Sequence, residues 1–141
     1  MRIAYGTDQV TPVTLAIADL MGEWGHEVVR LAEGDEWPEV GQRVGEAVAA
    51  GRADVGIVWC FTGTGVSIAA NKVSGVRAAL CLDATTAAGA RRWNDANVLA
   101  LGLRVTAPTV AEEIVRAFLE TDVDPAERDT IDRVEPSRIG S

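Results

Sequence analysis

The stretch VWCFTGTGVSIAANK, from Val58 to Lys72, is the most informative part of the chain for both fold and chemistry. An apolar run ends in Cys60, and glycines at positions 63 and 65 follow before a segment typical of a helix. A strand that passes through a glycine-rich turn into a helix is a building unit of parallel α/β folds. The stretch therefore predicts a parallel sheet with a thiol at the end of one strand.

Short apolar segments alternate with amphipathic segments along the rest of the chain. They predict strands over residues 1–6, 27–31, 54–60, 76–82 and 98–101, and helices over residues 11–24, 40–50, 67–73, 85–93 and 108–120. This alternation argues for an open, mostly parallel sheet covered by helices on both faces. The loops at the carboxyl ends of its strands are then the expected site.

The last part of the chain differs from the rest in character. Residues 1–120 are expected to form one domain, whereas residues 121–141 are polar and lack a core pattern. We expect such a tail either to be disordered or to pack on a neighbouring subunit.

Composition excludes several classes of function. The 141 residues include 13 basic and 21 acidic side chains, and the net charge of −8 repels nucleic acid and anionic membrane surfaces. No apolar run is long enough to predict a membrane span, so we expect a soluble, cytoplasmic protein. Cys60 and Cys81 do not have the spacing of a metal site or of a disulfide framework, and we expect no metal and no cofactor.

Cys60 has two interpretations from its local sequence. A cysteine at the end of a buried strand is most often an inert, small hydrophobic residue. However, Gly63 and Gly65 permit backbone conformations in which successive N–H groups converge, and the following helix adds its N-terminal dipole. Such a loop stabilises a thiolate or an enediolate oxygen, which is what proton abstraction next to a carbonyl requires.

Other candidates have equally ordinary alternatives. Asp8 follows the first strand and could bind sugar hydroxyls or cap a helix. Asn94 lies in an Asn-Asp-Ala-Asn string that is also typical of a turn. Arg128 and Arg133 could bind a phosphate or could simply solvate the tail.

The segments GTGVSIAANKVSGVRAALCLD and RRWNDANVLALGLRV, together with Asp8, resemble the ribose-5-phosphate isomerase B family, which includes the galactose-6-phosphate isomerase subunits. The resemblance extends from Met1 to about Glu135. It implies a Rossmann-like, three-layer α/β/α sandwich around a mostly parallel, five-stranded sheet. It also implies a homodimer or homotetramer with active sites between subunits, and isomerisation of a small aldose or ketose phosphate without a cofactor.

The resemblance also implies a role for individual residues. Cys60 is the implied catalytic base, with Thr62 beside it in the loop that steadies the enediolate. The implied substrate-binding residues are Asp8, Gln9, Gly63, Thr64, Gly65, Val66 and Asn94. Arg133 matches a phosphate-binding arginine of the family, and Arg128 matches another if this chain carries one inserted residue.

The chain departs from the family where the family carries histidines. Gln9 replaces a histidine near the phosphate, and Leu82 and Trp93 occupy the two positions where a ring-opening histidine is found. In the loop, Phe61 replaces a glycine, and Val66 stands where some members carry a glutamate base. Cys60 is therefore the only base of the family type in this chain.

These departures leave several expectations about function. The absence of a ring-opening histidine favours a substrate with little closed ring, such as a tetrose phosphate, over a pentose phosphate. Alternatives are an unphosphorylated or modified sugar, or a non-catalytic sugar-phosphate-binding subunit that supports an active paralogue.

Overall fold

A five-stranded sheet forms the centre of the computed structural model, which describes residues 1–135. Its strands are β1 (Arg2–Thr7), β2 (Glu27–Glu33), β3 (Val55–Cys60), β4 (Ala78–Leu80) and β5 (Val98–Gly102). They lie in the order β2-β1-β3-β5-β4, and every neighbouring pair is parallel. The central strand β3 is buried along its whole length, because helices cover both of its faces.

Helices form the two outer layers. They are α1 (Pro12–Glu23), α2 (Trp37–Ala49), α3 (Thr64–Asn71), α4 (Ala84–Asn94), α5 (Pro108–Glu120) and α6 (Arg128–Asp132), with a 3-10 turn at Pro125–Glu127. Helices α1, α4 and α5 pack on one face of the sheet, around Trp59 and Phe118. Helices α2 and α3 pack on the other face, around Val44 and Val66. The predicted three-layer α/β fold is confirmed.

Local capping explains where several helices begin. The Thr11 side chain accepts from the N–H of Thr14 at 3.3 Å, and the Thr14 hydroxyl accepts from the N–H of Thr11 at 2.9 Å. Asp83 caps α4 by accepting from the N–H of Thr86 at 2.7 Å. By contrast, α3 begins after Gly63, and no side chain caps it. The first N–H groups of α3 are therefore left without a side-chain acceptor.

Two helices begin three residues earlier than the sequence pattern predicts. Helix α2 begins at Trp37 instead of residue 40, and Pro38 lies in its first turn, where proline's missing N–H is not needed. Helix α3 begins at Thr64 instead of residue 67, because Gly63 has a φ of +81° and turns the chain directly into the helix.

The tail also differs in part from expectation. The short helix α6 lies within it, and Ile131 is buried against the domain. Residues 121–135 thus have structure of their own, while residues 136–141 lie outside the described part. Placement of the tail on a neighbouring subunit stays a prediction. Within residues 1–135, no helix is both long and apolar enough to cross a membrane.

Candidate active site

The parallel sheet brings all strand ends of one kind to one side, which we call the carboxyl edge. Strands β1 and β3 are neighbours, yet β1 leads to α1 on one face and β3 leads to α3 on the other. A crevice opens where two such connections diverge. At this point the N–H of Asp8 donates to the carbonyl of Trp59 at 3.2 Å. Asp8 and Cys60 both lie at the carboxyl edge, as the sequence predicts, and the strand order places them side by side.

Cys60 is the last residue of β3, and its side chain is held by the loop that follows. The N–H of Gly63 donates to the Cys60 Sγ at 3.2 Å, in a buried contact. A donor aimed at the sulfur stabilises a thiolate, and the N-terminus of α3 adds positive potential beside it.

The first turn of α3 supplies backbone donors next to the thiol. The N–H groups of Thr64, Gly65 and Val66 belong to an uncapped helix N-terminus and have no acceptor within the helix. Val66 is fully buried, so its side chain cannot contact a ligand. The hydroxyls of Thr62 and Thr64 are 2.8 Å apart and exposed. This cluster can bind an oxyanion.

Gly65 serves the site in a different way from the one the sequence suggests. It lies inside α3, and a Cβ added to it would stand 2.9 Å from the ring of Trp37. Glycine is needed here to make room for the indole and not for a left-handed backbone. Trp37 thus packs directly on the turn that presents the N–H groups.

The segment that directly follows β5 forms backbone hydrogen bonds with the end of β3 and the loop after it. The carbonyl of Cys60 accepts from the N–H of Leu103 at 2.9 Å, and the carbonyl of Phe61 accepts from the N–H of Arg104 at 2.8 Å. The exposed Arg104 guanidinium makes no ion pair with residues 1–135. The sequence pattern does not single out Arg104. Its backbone hydrogen bond with Phe61 places this positively charged residue at the carboxyl edge, and the only sequence feature that indicates this place is its position two residues after β5.

The Asp8 carboxyl has an unpartnered oxygen and a raised pKa. Its Oδ1 is buried and has no hydrogen-bond partner among the described residues. Burial raises the pKa of the Asp8 carboxyl, although its own N–H and that of Gln9 partly offset the effect. Beside it, the Thr7 hydroxyl donates to the carbonyl of Gln9 at 2.7 Å and fixes the exposed Gln9. An acceptor without a partner next to the thiol suits a substrate hydroxyl.

We expect Asp8→Asn to raise the free energy of unfolding at pH 7 while lowering activity. A carboxyl whose pKa is raised on folding destabilises the folded state where it is ionised, so removing its charge stabilises the fold. The stability gain should shrink as the pH falls through the raised pKa, because Asp8 is then neutral as well. Urea unfolding of both proteins between pH 4 and pH 7 measures this, with the pH limits set roughly by the titration range of aspartate.

Asp83→Asn is the matched control for this prediction. Hydrogen bonds from the Thr86 backbone and side chain lower the pKa of the Asp83 carboxyl. Its ionised form therefore stabilises the fold, and this contribution is lost as the pH falls through the lowered pKa. The two variants should change stability in opposite directions at pH 7. A shift of the same sign for both would contradict the account of Asp8.

The remaining predicted site residues lie at the opposite side of the sheet, the amino edge. Helix α4 starts at the carboxyl edge and runs for roughly 16 Å, which places Asn94 at the far end. Trp93 and Asn94 line a cavity of about 620 Å³ there, together with Thr130 and Ile131 of α6. Arg133 follows α6 and is exposed. The single chain does not bring these residues to Cys60.

The two tail arginines have different surroundings. Arg128 donates to the Oδ2 of Asp95 at 3.0 Å and lies 3.9 Å from Asp132. Arg133 makes no ion pair with residues 1–135, and its one side-chain hydrogen bond there goes to the Thr130 hydroxyl at 3.5 Å. Of the two, Arg133 therefore has the guanidinium that is open to an anion.

Most positions that depart from the family pattern are exposed, whereas Val66 is buried. Phe61 and Leu82 are 53% and 56% exposed near the carboxyl edge, and Trp93 is 53% exposed at the amino edge. The chain's one histidine, His26, lies beside the N-terminal amine at the amino edge, 3.0 Å away. Within one chain, no imidazole thus lies beside Cys60. Within residues 1–135, no group of three or more acidic, histidine or cysteine side chains could hold a metal ion.

Known proteins with similar sequences and folds identify the family of this chain. The sequence profile of the Ribose/Galactose Isomerase family matches residues 3–135. The chain is 38% identical to galactose-6-phosphate isomerase subunit LacB of Clostridium acetobutylicum, over 89% of this chain and 75% of that one. It is 42% identical to D-erythrulose-4-phosphate isomerase of Pectobacterium atrosepticum, over 88% and 86% of the two chains. The structure of ribose-5-phosphate isomerase B from Clostridium thermocellum superposes with a TM-score of 0.89 and 37% identity, covering 95% of each chain. The chain therefore belongs to the ribose/galactose isomerase family of sugar-phosphate aldose–ketose isomerases.

Proposed function

We propose that this protein isomerises a short, linear sugar phosphate, with Cys60 as the base that moves a proton between adjacent carbons. The observation that carries the proposal is the hydrogen bond from the N–H of Gly63 to the Cys60 Sγ at 3.2 Å. This contact sets a thiol against the N-terminus of α3 and beside Asp8, where a substrate carbonyl can approach. Both requirements of enolisation, a base and an oxyanion site, then lie within one loop.

The proposed reaction passes through a cis-enediolate. The Cys60 thiolate takes a proton from the carbon next to the carbonyl. The electron pair of that C–H bond forms the carbon–carbon double bond, and the π pair of the carbonyl moves onto its oxygen. The N–H groups of residues 64–66 stabilise the negative oxygen. The Thr62 hydroxyl can pass a proton between the two enediolate oxygens, and the Cys60 thiol then returns its proton to the neighbouring carbon. Asp8 and Gln9 hold substrate hydroxyls.

The side chains around the thiol favour a substrate that does not need ring opening. Leu82 and Trp93 cannot transfer a proton to a ring oxygen, and no imidazole among residues 1–135 lies beside Cys60. A tetrose with its phosphate on C4 has no free C4 hydroxyl to close a ring. The similarity to a D-erythrulose-4-phosphate isomerase supports this substrate class. We therefore propose a tetrose or tetrulose 4-phosphate as substrate.

We further propose that a homodimer, alone or paired into a tetramer, completes the site. Asp8 and Cys60 lie at the carboxyl edge, whereas Asn94 and Arg133 lie at the amino edge, so the groups of one chain cannot act on one small molecule together. A two-fold pairing places the amino edge of one copy against the carboxyl edge of the other and forms two equivalent sites.

Assays of the purified protein with tetrulose 4-phosphate, ribose 5-phosphate and the corresponding unphosphorylated sugars test the substrate proposal. We expect turnover of the tetrulose phosphate to exceed that of the pentose phosphate in kcat/KM. Efficient turnover of ribose 5-phosphate with none of tetrulose 4-phosphate would overturn the proposed substrate class.

We expect Arg133→Ala to raise the KM for the phosphorylated substrate about tenfold or more, because a charge-assisted contact to the phosphate is lost. Arg52→Ala removes another exposed arginine of the amino edge and should leave the KM unchanged. Steady-state kinetics of the two variants measures the difference. An unchanged KM for Arg133→Ala would instead favour an unphosphorylated sugar.

Mixed oligomers show whether Arg133 acts on the other copy. A dimer of one Cys60→Ser chain and one Arg133→Ala chain, purified through two different tags, contains one intact site if the site is shared between copies. Such a dimer should recover about half the activity of the wild-type dimer, although each variant alone is impaired. Mixed dimers that remain as impaired as their parents would place Arg133 in its own chain's site.

A non-catalytic subunit is the second candidate function. The replacement of histidine by Leu82 and Trp93 favours it, as does the similarity to a protein named as an isomerase subunit. This candidate predicts that the purified chain binds sugar phosphates but isomerises none until a second, different chain is added. Activity of the chain alone would exclude it.

A further inference from the structure

A half-buried guanidinium at the start of β4 joins three distant parts of the chain. The N–H of Arg77 donates to the Asn97 Oδ1 at 2.7 Å, and its Nε donates to the carbonyl of Asp95 at 2.8 Å. Its two terminal nitrogens reach the Glu135 carboxylate at 2.6 Å and the Asp95 carboxylate at 3.5 Å. Arg77 thereby ties the turn after α4 to Glu135 in the tail.

Asp95 is itself a constrained residue. Its φ is +46°, a left-handed conformation that no other non-glycine residue in the described part adopts. Its carboxylate accepts from Arg128 as well as from Arg77. Contacts that hold an unfavourable backbone conformation mark a place where position matters. We call the group Arg77, Asp95, Arg128 and Glu135 the arginine clamp.

The clamp sits directly next to the residues that the proposed function needs at the amino edge. Asn94 precedes Asp95 by one residue, and Arg133 precedes Glu135 by two. The helix that leads to Arg133 is only five residues long, and Ile131 is its one buried side chain. A helix this short is not stable alone, so external contacts decide where Arg133 lies.

We propose that Arg77 is a positioning residue that sets Asn94 and Arg133 in the geometry required to bind the substrate phosphate and hydroxyls. Arg77 does not touch substrate; it acts through Asp95 and Glu135. Arg128 belongs to the same clamp and supports the turn instead of contacting the phosphate. The inference rests on the proposed function, because the phosphate ligand in question is Arg133.

Arg77→Met removes the planar fork and keeps most of the apolar stem. We expect it to weaken the binding of inorganic phosphate to the intact oligomer about tenfold and to raise the KM for sugar phosphate by a similar factor, with kcat changed less than about twofold. Arg77→Lys, which keeps the charge but not the fork, should fall between the wild type and Arg77→Met. Calorimetry with phosphate and steady-state kinetics give the two readouts.

Arg30→Met is the matched control. Arg30 also contacts two carboxylates, Asp19 at 3.0 Å and Glu33 at 3.4 Å, but it lies on the opposite edge strand β2. The Arg30→Met variant should therefore keep the wild-type phosphate affinity and the wild-type KM for sugar phosphate.

A double variant separates positioning from a general loss of structure. If Arg77 acts through Arg133, then Arg77→Met should cause no further loss of phosphate affinity in an Arg133→Ala background. Additive losses in the double variant would overturn the proposal, as would an unchanged phosphate affinity of Arg77→Met. If Arg77→Met does not fold, Glu135→Gln can replace it, because this variant weakens the ion pair between Arg77 and Glu135. An unchanged phosphate affinity of Glu135→Gln would also overturn the proposal.

Failure of the proposed function can be told apart from failure of this inference. Wild-type protein that binds phosphate without isomerising any sugar phosphate would overturn the proposed reaction, yet the affinity of Arg77→Met would still decide the role of the clamp. Wild-type protein that binds no phosphate would overturn the clamp proposal itself.

Discussion

Cys60→Ser should lower kcat by about a thousandfold or more while leaving KM within about threefold of the wild type. A serine hydroxyl fits the space of the thiol and can keep the contact with the N–H of Gly63. It remains protonated at neutral pH, however, and so cannot take a proton from a sugar carbon. Steady-state kinetics with the preferred substrate measures the loss. The exchange of substrate hydrogen with deuterated solvent should fall by the same factor, because it reports the abstraction step directly.

Cys81 provides the control within the same chain. Its side chain is fully buried, burial raises the pKa of its thiol to about 11, and the sulfur faces only the carbonyl of Ala79 at 3.8 Å. Cys81→Ala should keep kcat and cost about 1 kcal/mol in the free energy of unfolding, since a small buried group is lost. Activity retained in Cys60→Ser, or lost equally in both variants, would remove Cys60 from the proposed mechanism.

Gly63→Ala should be the most destabilising single change at the site. The residue has a φ of +81°, and a Cβ there would lie 2.6 Å from the Leu80 side chain and 2.9 Å from the backbone of Leu101. The backbone of β5 cannot move aside without breaking the sheet. The substitution should cost about 3 kcal/mol or more in the free energy of unfolding, because strain and overpacking add. It should also abolish activity, since the N–H of Gly63 would no longer face the Cys60 sulfur.

Gly51→Ala separates these two causes. Gly51 has a φ of +76°, nearly the same as Gly63, but nothing lies within 4 Å of the added Cβ. It should therefore lose only about 1 kcal/mol, the cost of the left-handed backbone. Guanidinium unfolding midpoints and activity of both variants are the measurements. Equal losses of stability would show that the contacts with β4 and β5 do not matter.

The position of the thiol follows closely from local sequence. The apolar run that ends in Cys60 and the glycine that follows it predict a buried strand and a tight turn, and the structure has both. Periodicity is a property of neighbouring residues, so it survives in any compact fold that uses these elements. The same holds for α5, whose bounds agree with the prediction residue for residue.

Local patterns were less informative where a distant contact decides the outcome. The place of Trp37 depends on its packing against Gly65, and the engagement of Arg128 depends on Asp95, 33 residues earlier. Burial of Ile131 in an otherwise polar tail likewise requires the domain surface beneath it. Contacts between such distant residues produce no periodic pattern of apolar residues, so the sequence does not predict them.

The sequence by itself determined the fold class, the family, and the place of Cys60 at the end of β3 before a glycine turn, because these depend on short-range patterns and on motifs within one stretch. Only the tertiary structure decided that β1 and β3 are neighbours, which puts Asp8 beside Cys60, and that Asn94 and Arg133 lie at the opposite edge of the sheet. The physical reason is the direction of α4, which carries the chain from one edge to the other, and the order of the strands, which is set by packing between distant segments. That separation is why we propose that two copies make one site.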